Sequence, residues 1–266
     1  MPIITISRGS YSHGKEVAEK LCARLGYECV SREVILKASE HFNIPELKLV
    51  RALYDAPSIL DRFVHGKERY VAYFREALLH YLLKDNVVYH GLAGHFFVPG
   101  ISHALKVRII ADVEERLRVE KDPLHALSDE EALRALERDD EERRGWSRRL
   151  YGIDTSDPAL YDMVLHIKRM STDDAVEILA QTARQPRFQA TPESTRAIKT
   201  LFLAAQVEAS LVETIPAAKV SVENGEIVVS TMGYLADGKQ LIAKVEEVID
   251  DEKAGVHVKV RLSNRD

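Results

Sequence analysis

Seven residues near the amino terminus have the types and spacing to hold a phosphate: Gly9-Ser10-Tyr11-Ser12-His13-Gly14-Lys15, a G-x-x-x-x-G-K pattern. Glycine lets backbone approach a ligand closely, and successive N–H groups at a helix start attract anionic oxygens. Lys15 would carry charge to the outer phosphates. That chemistry needs a strand before Gly9 and a helix after Lys15. Ile3 to Ser7 is a β-rich apolar run. Val17, Ala18, Leu21, Cys22 and Leu25 then share one helical face, and Gly26 stands where a C′ glycine belongs. The plainer reading is a strand-to-helix turn with an exposed lysine. The full pattern continues with a Ser or Thr that holds Mg²⁺, whereas Glu16 and then Val17 follow here. Glu16 either reaches a metal through water or repels phosphate, and Ser10 and Ser12 are the substitute hydroxyls.

Other chemistry-bearing groups are less sharply patterned. Arginines cluster at Arg134, Arg138, Arg143, Arg144, Arg148 and Arg149, with Asp and Glu interleaved, which by charge alone suits a solvated, ion-paired helix face. His80, His90, His95 and His103 lack a Cys or carboxylate at ligand spacing, so hydrogen-bonded or surface histidines are expected rather than a metal site. Tyr70, Tyr73, Phe74 and Tyr81 recur near helical spacing, as core residues do, although one of them could line a pocket. Cys22 and Cys29 are too few for a disulfide framework and read as reduced, packed thiols of a cytosolic protein.

The elements that must position these groups alternate. Further strand patterns fall at Glu28 to Val30, Asn86 to His90, Lys106 to Ala111 and Met163 to Ile167. Helical stretches lie between them, over 32–85 with breaks near Pro45 and Asp55 to Ser58, and over 113–149 with a break near Asp122-Pro123. Ser171 or Thr172 can cap a helix after the fifth strand. Alternation of this kind predicts an α/β fold, a parallel sheet covered by helices. After Arg184 the chain changes character. A polar, proline-punctuated linker at 187–194 separates residues 1–186 from a small αββαβ domain at 195–266. That domain opens with a helix bearing Ile198, Leu201, Phe202, Ala205, Ala209 and Val212, and its hairpin turns at Asn224-Gly225. A helix near 239–250 and an alternating strand from Val256 to Leu262 complete it.

With 266 residues, 45% hydrophobic and 30% charged, the composition is that of a soluble globular protein. A net charge of −5 gives no reason to expect a nucleic-acid partner. The apolar start reads as a strand rather than a signal peptide, and no stretch is long enough to span a membrane. A cytoplasmic location is expected.

Read together, these segments resemble the cytidylate kinase-like family of P-loop proteins. "ITISRGSYSHGKEVAEKLCARLGYECVSREVI" looks like that family's first strand, loop, helix and second strand. "NVVYHGLAGHFFVP" and "LKVRIIADVEERLRV" resemble its third and fourth strands and the start of its lid. "LERDDEERR" is similar to the lid's arginine–aspartate segment, and "YDMVLHIKRMSTDDAVEIL" to the closing strand and helix. The resemblance covers Met1 to Arg184. It implies a P-loop kinase-like sheet and ATP-dependent phosphoryl transfer to a nucleoside monophosphate, CMP or dCMP by default, with ATP and Mg as cofactors. Gly9 to Glu16 would bind the nucleotide, with Lys15 on the donor phosphates. Arg116, Arg138, Asp140, Arg143 and Arg144 would surround the transferring group. Where cytidylate kinases carry Asp-Gly-Arg-Asp after the third strand, this chain has His90-Gly91-Leu92-Ala93, so the acceptor-gripping arginine is missing. Ser31 also replaces the usual Asp at the end of the second strand. Arg32, Arg69 and Arg75 are the candidate replacements, Arg32 and Arg75 foremost. The tail resembles a BON-type domain, which implies contact with a hydrophobic surface, and packing or homo-oligomerisation is the other reading. Two further functional readings stay open: a P-loop protein that binds nucleotide without turnover and assembles through its tail, and a kinase acting on a non-nucleotide acceptor.

Overall fold

The computed structural model describes residues 2–9, 11–54, 67–91, 94–120, 128–232, 242–243, 245, 247 and 258–263. Five parallel strands form the main sheet: β1 (Ile3–Arg8), β2 (Glu28–Val30), β3 (Val87–His90), β4 (Ala104–Ala111) and β5 (Met163–Ile167), in the order β2-β3-β1-β4-β5. β1 is central because it is apolar toward both faces. Ile3 packs into one core cluster, Ile4 and Ile6 into the other, and all three are essentially unexposed. The strand order reverses around β1, and crevices for ligands open at the carboxyl ends of strands where that happens. The phosphate loop leaves from that end.

One face of the sheet is covered by α1 (Gly14–Leu25) and α7 (Thr172–Ala183), which pack on each other. Val17, Ala18, Leu21 and Cys22 of α1 are the buried stripe, and Gly26 closes the helix in a left-handed conformation, φ 72°. Ser171 caps α7 with its hydroxyl while Asp174 returns the bond. The other face is covered by α2 (Glu33–His41), α4 (Lys67–Leu82) and, further along the chain, α8 (Pro192–Leu211). α3 (Glu46–Tyr54) packs on α4. The expected break at 55–58 lies outside the described residues, as does the one at Asp122-Pro123. α5 (Val113–Glu120) follows β4, and the 23-residue α6 (Asp129–Tyr151) starts at a Ser128–Glu131 capping box.

β4 begins two residues earlier than the sequence pattern predicts. Ala104 and Leu105 run beside Ile3 and Ile4 of β1 and are buried, so pairing with the central strand extends β4 back to the turn at Ser102-His103.

A second, three-stranded sheet is present: β6 (Lys219–Glu223), β7 (Glu226–Met232) and β8 (Val258–Ser263). β6 and β7 are an antiparallel hairpin whose turn residues, Asn224 and Gly225, both hold positive φ, 51° and 80°. β8 runs parallel to β7. Residues 242, 243, 245 and 247 are helical, and Val245 packs with Ile227 and Val229; the remainder of the expected 239–250 helix lies outside the described residues, as do positions 256 and 257.

α8 contributes to both cores. Ile198, Leu201 and Ala205 join Phe74, Leu78 and Leu82 against the main sheet, while Ala204, Val207 and Leu211 join the small sheet. Burying a side chain such as Ile198 or Leu201 contributes about 1.5–3 kcal/mol. Polar bonds reinforce the contact: Arg75 of α4 donates to Glu208 of α8 at 2.7 Å, and the Tyr73 hydroxyl donates to Glu213 at 2.9 Å.

Candidate functional site

The loop between β1 and α1 is held by contacts that its motif does not reveal. Tyr11 and His13 adopt positive φ, 56° and 62°, on either side of Ser12. Alternation of this sort turns backbone N–H groups into a concave, anion-binding nest. For a non-glycine residue that conformation costs roughly 1–2 kcal/mol, and side chains hold it in place. His13 lies between two carboxylates, with Nδ1 3.1 Å from Glu16 and Nε2 3.1 Å from Glu115. Ser12 is buried with its Oγ near the carbonyls of Gly9 (2.9 Å) and Ile109 (3.1 Å), pinning the loop to β4. Glycine is required at 14 because a Cβ there would meet the Arg8 side chain at 2.6 Å. Ser10 lies outside the described residues.

The Glu16 carboxylate is engaged by neighbouring side chains. Lys20 pairs with it at 2.9 Å and the Thr172 hydroxyl donates to it at 2.9 Å, tying α1 to α7. Lys20 above all, with help from Thr172 and His13, holds its carboxyl down at about 2. Lys15 stands in the first turn of α1 with its ammonium 3.6 Å from Glu19 and its side chain 64% exposed. It borders an open cavity of about 550 Å³ together with Tyr11, His13, Asp139 and Arg143.

On the other side of the loop a smaller cavity, about 120 Å³, is walled by Arg8, Arg108, Arg116, Arg143 and Arg144, with Asp140 the one carboxylate among its described lining residues and Gly9 and Ser12 at its base. Arg116 donates twice to Asp140, at 2.8 and 3.0 Å, and its guanidinium carbon would lie 3.8 Å from a Cβ placed on Gly9. Arg143 donates to the Arg8 carbonyl at 3.4 Å. Arg108 donates to the Thr155 carbonyl and, at 3.4 Å, to the Tyr161 hydroxyl. Five guanidinium groups around so small a volume suit an anion, since planar and permanently charged donors match phosphate oxygens.

The expected site residues are thus gathered unevenly. Gly9, Ser12, Arg116, Asp140, Arg143 and Arg144 meet in the arginine cavity, and Tyr11, His13, Lys15 and Glu16 line the larger one. Arg138 is exposed on α6 and lines neither. Arg32 donates to Glu46 at 2.8 and 2.5 Å beside a third cavity lined by Ile35, Leu47 and Val50, and Arg75 is bonded to Glu208. Gly91 reaches the arginine cavity; Leu92 and Ala93 lie outside the described residues. Sequence reasoning missed Arg8 and Arg108. The usable signal for Arg108 was a charge, spaced two residues from Lys106, inside a parallel strand whose other residues are apolar.

The four singled-out histidines occupy separate places: His80 on α4, His90 on β3, His95 in a 3₁₀ turn at Gly94–Phe97, and His103 beside Asp85. Among the described residues no group of three His, Cys, Asp or Glu side chains is arranged to hold a metal. Phe74 and Tyr73 are core residues, and Phe42 stacks on Tyr73 at 4.0 Å. No helix among the described residues is long and apolar enough to cross a membrane.

Residues 3–169 match the cytidylate kinase-like family. The chain belongs to that family. The matched span of this cytidylate kinase-like chain takes in the loop, both cavities beside it and all five strands of the main sheet, and stops before α7, α8 and the second sheet. Its fold is that of the P-loop kinases, and family membership points to nucleotide binding and phosphoryl transfer. No curated protein matches the chain. Among solved structures it is similar to an uncharacterised protein from Eubacterium ventriosum, at 14% identity and TM-score 0.48 over 69% of this chain and 98% of that one. It is also similar to the shikimate kinase from Bacteroides thetaiotaomicron, at 14% identity and TM-score 0.42 over 69% and 99%. A third, TT1252 from Thermus thermophilus, has 22% identity and TM-score 0.39 over 68% and 96%.

Proposed function

We propose that the protein transfers the terminal phosphoryl group of ATP to a nucleoside monophosphate, with CMP and dCMP the first acceptors to test. The observation that carries this reading is the arginine cavity: Arg116, Arg143 and Arg144, on the lid helices, face Gly9 and Ser12 of the loop across a space of phosphate dimensions. Phosphoryl transfer asks little covalent chemistry of a protein. Positioning and neutralisation of the equatorial oxygens supply the rate.

In this scheme the loop backbone and Lys15 take the donor phosphates. Arg116, oriented by Asp140, and Arg143 and Arg144 neutralise the group in flight, and Arg8 and Arg108 extend the positive wall toward the acceptor. The nucleotide phosphates fit the cradle of Gly9 and Gly14. Magnesium fits less well: Glu16 is committed to Lys20, Thr172 and His13, and Ser12 to two carbonyls. No step is therefore assigned to the metal.

A coupled assay of ADP release across the common nucleoside monophosphates tests the proposal, and saturable ATP binding without turnover on any acceptor overturns it. A second reading, nucleotide binding without turnover, draws support from Lys15, whose ammonium lies toward Glu19 instead of the arginine cavity. In either reading the nucleotide site lies within residues 1–186, and α8 completes the core beneath it. The tail, 195–266, acts as a BON-like module that packs, oligomerises or meets a hydrophobic surface through its small sheet.

A further inference from the structure

Arg108 and Arg116 wall the same cavity but are held in different ways. Arg116 pairs with the Asp140 carboxylate at 2.8 Å. Half-buried Arg108 donates through Nη1 to neutral oxygens alone: the Thr155 carbonyl and, at 3.4 Å, the Tyr161 hydroxyl. Among the described residues no carboxylate pairs with it, and its Nε and Nη2 make no hydrogen bond. A carbonyl and a phenol fix a guanidinium without neutralising it, and a cation held that way out of bulk water favours an anion. The edge left over, Nε with Nη2, is the fork that takes two oxygens of one phosphate.

Both holders are themselves fixed. Asp162 exchanges two bonds with Lys106: its N–H donates to the Lys106 carbonyl at 2.8 Å, and its carboxylate accepts from the Lys106 N–H at 2.8 Å. That ties Tyr161 to β4 beside Arg108. The Tyr161 ring is buried against His95, at 4.7 Å between centroids. Its hydroxyl donates to the Thr155 carbonyl at 2.9 Å and lies 3.2 Å from Ser7 Oγ on β1. Thr155 is steadied by Asp154, whose carboxylate accepts from the Ser156 N–H and hydroxyl at 2.9 and 2.7 Å and pairs with Arg148. Ser7, Arg108, Thr155 and Ser156 line the arginine cavity, whereas Tyr161 does not. Tyr161 therefore acts on the cavity through Arg108.

We propose that Arg108 grips a phosphate on the acceptor and that Tyr161 is its positioning residue, aiming the guanidinium without touching the ligand. This rests on the reading of the cavity as the phosphoryl-transfer site. It commits the acceptor to one that already carries a phosphate monoester. A neutral alcohol leaves the Arg108 charge unanswered, and with Arg8, Arg143 and Arg144 on the same walls a dianion suits the cavity better than a carboxylate.

The test is calorimetric titration of the full chain with the common nucleoside monophosphates and with the matching nucleosides. It is run on the unmodified chain, Tyr161→Phe, Arg108→Gln and the double variant. A monophosphate is expected to bind at least about tenfold more tightly than its nucleoside, and Arg108→Gln to weaken it about tenfold or more. Tyr161→Phe keeps the ring against His95 and is expected to weaken the monophosphate roughly threefold to tenfold. The double variant is expected to bind no more weakly than Arg108→Gln alone, because the hydroxyl acts through the arginine. A tyrosine that only packs would leave affinity unchanged or give additive losses, and either result overturns the proposal. So does a nucleoside that binds as tightly as its monophosphate. If Arg108→Gln fails to fold, Tyr161→Phe against the unmodified chain decides. Monophosphate binding without ADP release overturns the kinase reading alone. Turnover with an acceptor KM that Arg108→Gln leaves unchanged overturns this proposal alone, and no binding of any monophosphate overturns both.

Discussion

Arg116 and Asp140 form a two-pronged ion pair, 2.8 and 3.0 Å, that ties α5 to α6 with the guanidinium beside Gly9. The pair is largely shielded, at 11% and 27% side-chain exposure, so removing one partner is felt by the other. Asp140→Asn is expected to leave nucleotide affinity intact or tighter, because a negative charge leaves the cavity. The same change should lower kcat about tenfold or more, because Arg116 is no longer oriented. Calorimetric titration with ATP beside single-turnover kinetics separates the two effects. Equal losses in both would mean that Asp140 merely holds the fold.

Lys15→Ala should weaken ATP binding or turnover by about tenfold or more, the scale on which one charge-assisted contact to phosphate acts. Fluorescence titration with a labelled ATP analogue measures the first and ADP release the second. An unchanged result in both would show that phosphates bind without the lysine.

Glu16→Thr restores the hydroxyl that the loop pattern usually carries, and removes the carboxylate that Lys20, Thr172 and His13 share. Nucleotide affinity in this variant is expected to become more dependent on magnesium than in the parent. Titrations with and without the metal, at one ionic strength, give the comparison.

Arg75 and Glu208 are 20% and 33% exposed, between a surface pair and a buried one. Arg75→Ala should destabilise the protein by about 1–2 kcal/mol without changing the KM for the acceptor. Urea unfolding and steady-state kinetics on the same variant check both halves of that statement.

His95 is buried against Tyr161 and Phe96, and burial, with Lys106 and Arg108 nearby, lowers it to about 3. The unfolded chain binds a proton on this group near its ordinary value while the native chain does not. Stability from His95 is therefore complete above about pH 6.5 and falls as pH drops toward 3, by at most about 1.4 kcal/mol per pH unit. His103 is lowered by its burial as well and adds to the slope. Urea midpoints measured between those pH values should fall more steeply for the parent than for His95→Gln.

Much of this arrangement is legible in the sequence, for physical reasons. A parallel strand buried on both faces has to be apolar, so Ile3, Ile4 and Ile6 of β1 and Val87 to Tyr89 of β3 mark the sheet centre once helices alternate with them. The 224–225 turn needs two residues tolerant of positive φ, and Asn-Gly announces that. What stays hidden depends on pairs distant in the chain. His13 holds left-handed backbone against its own preference while Glu16 and Glu115, the latter 102 positions away, fix its ring. Arg75 resembles a ligand of phosphate because Glu208, its partner, stands 133 positions away. The sequence pattern gives α8 one apolar face, whereas Ile198 and Val207 serve opposite neighbours.

That double service of α8 has a consequence for how the chain is made. During synthesis, residues through Ala183 leave the ribosome with every strand of the main sheet already present, yet the side of α4 that carries Arg75 and His80, which meets Glu208 and Phe202 of α8, still lacks its cover. Ile198, Leu201 and Ala205 arrive later, on a helix whose far side in turn waits for Ile227 and Val229. The nucleotide unit can collapse early, but it finishes only when its own sequel has been translated.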